Sequence, residues 1–241
     1  MADGAVREPN EPDARAKILP LDNPVYHALR GPHLSFARQQ GAASRYDPDV
    51  SAFAGLPDVP DETSWNDIRS LVSDRPFILI RDHFDVPRGW TQVFSGQGLQ
   101  YTAENVVGEY FSQARPLDTH DVVAMTDLVE RTRPGPFEPR TIELGNYVGV
   151  FDGDRLIAMA GNRFRLKGYR EISAVCTDPE YRGRGLAAFV VRHLVALTAS
   201  QGDTSFLHVA ETNTSAIALY ERLGFTRRRV VTFAGFRPSE D

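Results

Sequence analysis

The residues best suited to chemistry lie in EISAVCTDPEYRGRGLAAFVVRHLVAL, residues 171–197. Glu171 to Thr177 reads as a strand, a basic glycine-rich turn follows, and Phe189, Val190, Leu194 and Leu197 form one stripe of a helix that Gly202 would terminate. A helix start presents unpaired backbone N–H groups and the positive end of its dipole, so it favours an anion. Gly183 and Gly185 would let a diphosphate approach that backbone closely, while Arg182 and Arg184 add charge-assisted donors. Other phosphate loops fit worse: the Walker pattern needs GK followed by Ser or Thr, and a dinucleotide fingerprint needs a third glycine and a later acidic residue. Gly96-Gln97-Gly98 has a similar composition, but no helical stripe begins there, and it reads as an ordinary loop.

Asn213 and Tyr220 are seven residues apart within ETNTSAIALYERLGFTRRR. Nearly two helical turns place them on one face, about 10 Å apart along the axis. Cys176 is the only cysteine, which excludes an internal disulfide and a cysteine-rich zinc site and suits a reducing compartment. No base that would lower its pKa stands beside it in the sequence, so it reads as a small buried hydrophobe rather than a nucleophile. His193 and His208 lack metal-site spacing, and no metal is expected. Arg227, Arg228 and Arg229 read as a solvated basic edge, with a phosphate contact as the alternative.

The run Arg182-Gly183-Arg184-Gly185-Leu186-Ala187, preceded by Thr177-Asp178-Pro179, resembles the acetyl-CoA signature of the GNAT superfamily of N-acetyltransferases. That signature, R/Q-x-x-G-x-G/A, is matched by Arg182, Gly185 and Ala187, and a second family motif follows at the expected distance as Asn213, Ala216, Tyr220 and Gly224-Phe225. The likeness spans roughly residues 105–236, and the first hundred residues resemble no family we can name. It implies that acetyl-CoA is the acyl donor and that N–H groups from Gly183 to Ala187 hold its pyrophosphate. The backbone of Val175, Cys176 and Thr177 would pair with the pantetheine arm, and Asn213 would bind that arm, cap its helix, or do both. By the same resemblance Glu171 is the general base, with a structural ion pair to Arg170 or another basic residue as the alternative. Tyr220 would protonate the departing thiolate, its rival role being a ring that fills the core.

The implied reaction is direct attack by a primary amine of a small molecule or peptide on the thioester. Alternatives are a catalytically silent CoA-binding sensor or scaffold, whose first hundred residues cover the acceptor cleft, and an acyltransferase that uses a longer acyl-CoA. A homodimer is open by family analogy alone.

The elements that must hold these groups predict an α+β fold, a mixed and mainly antiparallel sheet flanked by helices. The expected organisation is a disordered tail at 1–17, an N-terminal α/β region at 18–104 that is open to being a diverged GNAT-like half, and an acetyltransferase domain at 105–241. Phe77–Ile80, Trp90–Phe94 and Glu109–Ala114 read as strands, and 64–74 as a helix capped by Ser64. A helix over 119–132 precedes two strands, Asn146–Phe151 and Leu156–Phe164, joined by an Asp-Gly turn. Ser205–Val209, a helix over Thr214–Leu223 and Val230–Phe236 complete the pattern. Net charge is -5 over 241 residues, which gives no overall attraction to nucleic acid or anionic membrane. No apolar run approaches the roughly 18 residues of a membrane span, and the chain reads as cytoplasmic.

Overall fold

The computed structural model describes residues 19–72 and 75–239. The expected tail, 1–17, and the last residues of the helix expected at 64–74 lie outside the described residues. The chain opens with α1 (Pro24–Leu29), then a three-stranded antiparallel sheet of β1 (Ala37–Gln40), β2 (Ala43–Tyr46) and β3 (Ala54–Gly55). Helix α2 (Glu62–Arg69) follows. Its N-cap is Asp61 rather than Ser64, because the Asp61 carboxylate accepts from both the amide and the hydroxyl of Ser64 at 2.7 and 2.6 Å.

The main sheet takes β4 (Phe77–Arg81), β5 (Trp90–Thr102), β6 (Arg115–Leu117), β7 (Tyr147–Asp152), β8 (Arg155–Leu166), β9 (Tyr169–Thr177), β10 (Thr204–Ala210) and β11 (Thr226–Pro238). Their order is β4-β11-β5-β10-β9-β8-β7-β6, and β9–β10 is the parallel pair among otherwise antiparallel neighbours. The helices α3 (Val122–Thr132), α4 (Leu186–Ser200) and α5 (Thr214–Arg222) complete the mixed fold that the sequence predicts. No helix among the described residues is long and apolar enough to cross a membrane.

Two expectations fail here. Gly96-Gln97-Gly98 is the middle of β5, because a Phe233 ring on β11 covers Gly98 and pairing to β11 carries the strand through the glycines. Glu109–Ala114 forms no strand; it is a belt across α4. Gly108 lies so close that a Cβ there would stand 2.4 Å from the Ala196 amide nitrogen, Glu109 N–H donates to the Arg192 carbonyl, and Phe111 N–H donates to His193 Nδ1 at 3.1 Å.

Strand β5 comes from the N-terminal segment, yet it lies between β10 and β11, which α5 connects in sequence. Side-chain alternation then divides the core. Leu207 and Val209 of β10 and Ile172 of β9 pack with Val190, Val191 and Leu194 of α4 on one face. Phe206 of β10 and Phe164 of β8 pack with Val25, Ala28 and Leu29 of α1 on the other. Helix α3 covers the far end of that second face through Met125 and Leu128, which are fully buried beside Met159 and Cys176.

Candidate active site

The glycine-rich turn begins where β9 ends. Asp178 is buried and accepts from the Glu180 amide and from Arg155, which fixes a short 3-10 turn over Pro179–Tyr181. Gly183 and Gly185 then adopt φ of +77° and +78°, a region that costs other L-residues about 1–2 kcal/mol, and Leu186 starts α4. Among the described residues, no carbonyl or side chain accepts from the N–H groups of Gly183 through Ala188. A Cβ built on Gly183 would meet no protein atom within 4 Å, so the unpaired amides line open space. The exposed Arg182 and Arg184 flank them, with the Arg184 guanidinium 4.7 Å from the Tyr181 ring centroid. A row of free amides at the positive end of a helix, bracketed by two arginines, is chemically fitted to a diphosphate.

Next to this cradle the sheet splits. The parallel pairing of β9 and β10 ends at Ile172 and Leu207, although β9 runs on to Thr177 and β10 to Ala210. A β-bulge lies at this point. The β8–β9 register slips between Met159 and Gly161, and Ala174 takes φ of +52°. A bulge bends its strand, and here the bend accompanies the parting of β9 from β10, whose free backbone groups beyond Ile172 and Leu207 can pair with an extended amide-bearing chain. Thr177, at the end of β9, carries a buried hydroxyl with no hydrogen-bond partner.

A family model described as FR47-like protein matches residues 147–234. A solved structure from Novosphingobium aromaticivorans, assigned to the GNAT family, is 35% identical and superposes with a TM-score of 0.85, over 92% of this chain and 100% of that one. The chain belongs to the GNAT family. It is also 34% identical over 105 residues to a mycothiol acetyltransferase of Thermobispora bispora, covering 43% of this chain and 36% of that relative. With the N-alpha-acetyltransferase RimI of Mycobacterium tuberculosis the identity is 35% over 85 residues, covering 34% and 52%. The chain thus spans about a third to a half of the length of these two curated relatives.

Within this GNAT fold the residues singled out in the sequence fall into two groups. Val175, Cys176 and Thr177 form the bulged end of β9, and Arg182 to Ala187 form the cradle that follows it. Asn213 caps α5 by accepting from the Ala216 amide at 3.2 Å. Tyr220, on the same helix, packs its ring against Phe225 in the core shared with α4, and no protein group among those described hydrogen-bonds its hydroxyl. Burial raises the pKa of that phenol, so it holds its proton at neutral pH. The Cys176 thiol turns the other way, toward α3, where burial pushes it up to about 11.

Glu171 stands apart from these, and the general-base expectation is corrected. Its carboxylate is fully buried on the α1 face, held bidentately by Arg163 at 2.7 and 2.8 Å and by His208 at 2.6 Å. Burial alone would raise its pKa; the Arg163 charge and the hydrogen bonds from Arg163 and His208 outweigh that and draw it down to about 2. Such a carboxylate neither reaches solvent nor has basicity to spare. The ion-pair alternative is what the structure contains, with Arg163 as the partner; Arg170 pairs with Asp203 instead. Two arginines of the 227–229 run are also spent internally, Arg228 and Arg229 both binding Asp22 and Arg229 also binding Asp82, while Arg227 is exposed. Among the described residues no cluster of three His, Cys, Asp or Glu side chains is placed to hold a metal.

Sequence reasoning missed Arg163, Gln100 and the pairing of His208 with Glu171. The available signal was polarity at inward positions: Gln100 lies between Leu99 and Tyr101 in β5, and Arg163 follows Asn162 at the end of the apolar run Leu156–Gly161 in β8, each at an almost fully buried site.

Proposed function

We propose that this protein transfers an acetyl group from acetyl-CoA to a primary amine. The observation that carries the reading is the run of unpaired amides from Gly183 to Ala188 beside two strands that part. The diphosphate would lie on those amides between Arg182 and Arg184. The pantetheine arm would extend between β9 and β10, pairing with the backbone of Val175 to Thr177 and passing Asn213. In the transfer the uncharged amine nitrogen forms a bond to the thioester carbonyl carbon, the C–S bond breaks, the sulfur leaves with the electron pair, and the proton that nitrogen sheds passes to solvent while the thiolate is protonated to free CoA. Tyr220 is assigned as the donor to that sulfur. Because burial raises its pKa, its larger contribution is a hydrogen bond that strengthens as the sulfur gains charge, not early proton release.

The acceptor class is a small-molecule or peptide amine, in keeping with relatives named for mycothiol and for N-alpha acetylation. One observation favours a second reading, a CoA-binding protein without turnover: Leu21 of the N-terminal segment is buried on the face opposite α4, with its carbonyl bonded to Gln100 beside the split. A panel of small amines and peptides, assayed for thiol release with acetyl-, propionyl- and succinyl-CoA, separates these readings. Release that depends on both amine and acetyl-CoA supports the transferase, whereas tight CoA binding with no release from any amine supports the silent protein.

A further inference from the structure

On the face opposite α4 one polar side chain from each of five adjacent strands joins a continuous hydrogen-bonded ribbon at the point where the sheet splits. Arg163 of β8 donates twice to Glu171 of β9, and Glu171 is bonded to His208 of β10. His208 Nε2 lies 3.0 Å from the Gln100 amide nitrogen of β5, and Arg228 of β11 donates to Gln100 Oε1 at 2.7 Å. Arg228 then ends on Asp22, in the short 3-10 turn Pro20–Asp22, and the Gln100 amide also donates to the Leu21 carbonyl at 2.8 Å.

The donors and acceptors fix the hydrogens. Arginine can only donate, so Gln100 must present its oxygen to Arg228 and its amide nitrogen to His208. His208 Nε2 therefore accepts, and Nδ1 carries the hydrogen given to Glu171. Every link is satisfied, and the charges of Arg163, Glu171, Arg228 and Asp22 cancel. A bulge at Arg228 makes the last link possible, because it lets two successive arginines of β11 converge on Asp22.

The location gives the ribbon its meaning. Leu207 and Ile172 are the last paired residues of β10 and β9, and His208 is the first residue beyond them. Its bond to Glu171 thus ties the two strands by side chains where backbone pairing stops. Buried polar chains of this kind are often no more stabilising than apolar packing, and Phe206 and Phe233 already flank the imidazole at 5.7 and 5.6 Å, an environment that would accept a ring.

We propose that His208 and Gln100 are positioning residues: the ribbon fixes the apex of the opening between β9 and β10, and so the seat of the pantetheine arm, and ties that seat to the N-terminal segment through Asp22. The proposal rests on the acetyl-CoA reading above.

The test compares two probes. Acetyl-CoA occupies both cradle and opening, whereas adenosine 3′-phosphate 5′-diphosphate lacks the arm and occupies the cradle alone. For His208→Phe, which keeps the volume and removes both bonds, acetyl-CoA affinity should fall at least about tenfold by calorimetry while affinity for the nucleotide stays at the wild-type value. His208→Gln, which can donate to Glu171 and accept from Gln100, should recover most of the loss. Wild-type affinity for both probes in His208→Phe, or an equal loss for both, overturns the proposal. If His208→Phe does not fold, Asp22→Ala cuts the ribbon at its partly exposed end by removing the oxygen on which Arg228 ends; a loss of about threefold or more confined to acetyl-CoA supports the proposal, and unchanged binding overturns it. A wild-type protein that binds neither probe would sink the acetyl-CoA reading itself, an outcome distinct from these.

Discussion

Replacing Glu171 by glutamine should cost the protein several kcal/mol at neutral pH, and the cost should shrink in acid. The side chain is fully buried and receives bonds at 2.6, 2.7 and 2.8 Å from His208 and Arg163, whose own side chain is only 10% exposed. In Glu171→Gln the amide oxygen can still accept from His208 and from Arg163 Nη2, but the amide NH2 then faces the Arg163 Nε–H, and the guanidinium is left buried without a counter-charge. Breaking one partner of a buried pair costs about 3–5 kcal/mol. Linkage gives a second route to the magnitude. The folded-state pKa is about 2 against 4.5 for the free group, a gap worth about 3 kcal/mol. Because the folded value is depressed, that stability is present above pH 4.5 and is lost as pH falls toward 2. Urea denaturation of both proteins, followed through the buried Trp65 and Trp90, measures the difference at pH 7 and at steps down to pH 2. The expected result is a difference of at least about 3 kcal/mol at pH 7 that narrows below pH 4.5. A difference under about 1 kcal/mol at pH 7, or one that does not change with pH, would refute the buried-pair argument.

Three further outcomes follow from the same geometry. His33 is buried against Tyr46, and burial, with Arg165 and Arg170 nearby, holds its pKa down to about 4, so wild-type stability should fall by about 3 kcal/mol between pH 6.5 and 4; His33→Asn should lack that part of the fall in pH-dependent denaturation. Tyr220→Phe should lower kcat by about a hundredfold while acetyl-CoA affinity by calorimetry stays near wild type, since the variant keeps the packed ring and loses the hydroxyl alone. Cys176, buried and raised to about 11, should react with iodoacetamide at pH 8 at least about a hundredfold more slowly in the native protein than in urea; equal rates would place the thiol in solvent.

The second half of the chain was legible because its signals are local. Gly183 and Gly185 announce the positive φ of the turn, the apolar stripe from Phe189 to Leu197 announces α4, and Asp152-Gly153-Asp154 announces the β7–β8 hairpin. What sequence could not show depends on distant partners. The glycines of β5 look like loop punctuation until β11 and β10 pair with them from more than a hundred residues away. The Glu109–Ala114 run has strand-forming residues, yet the close approach of Gly108 and the Phe111 hydrogen bond hold it on α4 instead. Glu171 shows the limit most clearly at the site. Its place on the strand suggested a base, but the groups that decide its chemistry, Arg163 and His208, lie 8 residues before it and 37 after it. The splay of β9 from β10 was not legible either, because the bulge at Ala174 that accompanies it carries no mark in an alanine.

The account depends most on the free amides of the glycine-rich turn. Titrating 15N-labelled protein with CoA and following backbone amide shifts reads those groups directly. The prediction is that the amides of Gly183 through Ala188 move together with those at the ends of β9 and β10, and that Gly185→Asp, while keeping the rest of the spectrum, weakens CoA binding at least about tenfold by charge repulsion and close approach to the diphosphate. Shifts confined to other parts of the fold, or wild-type affinity in Gly185→Asp, would contradict it.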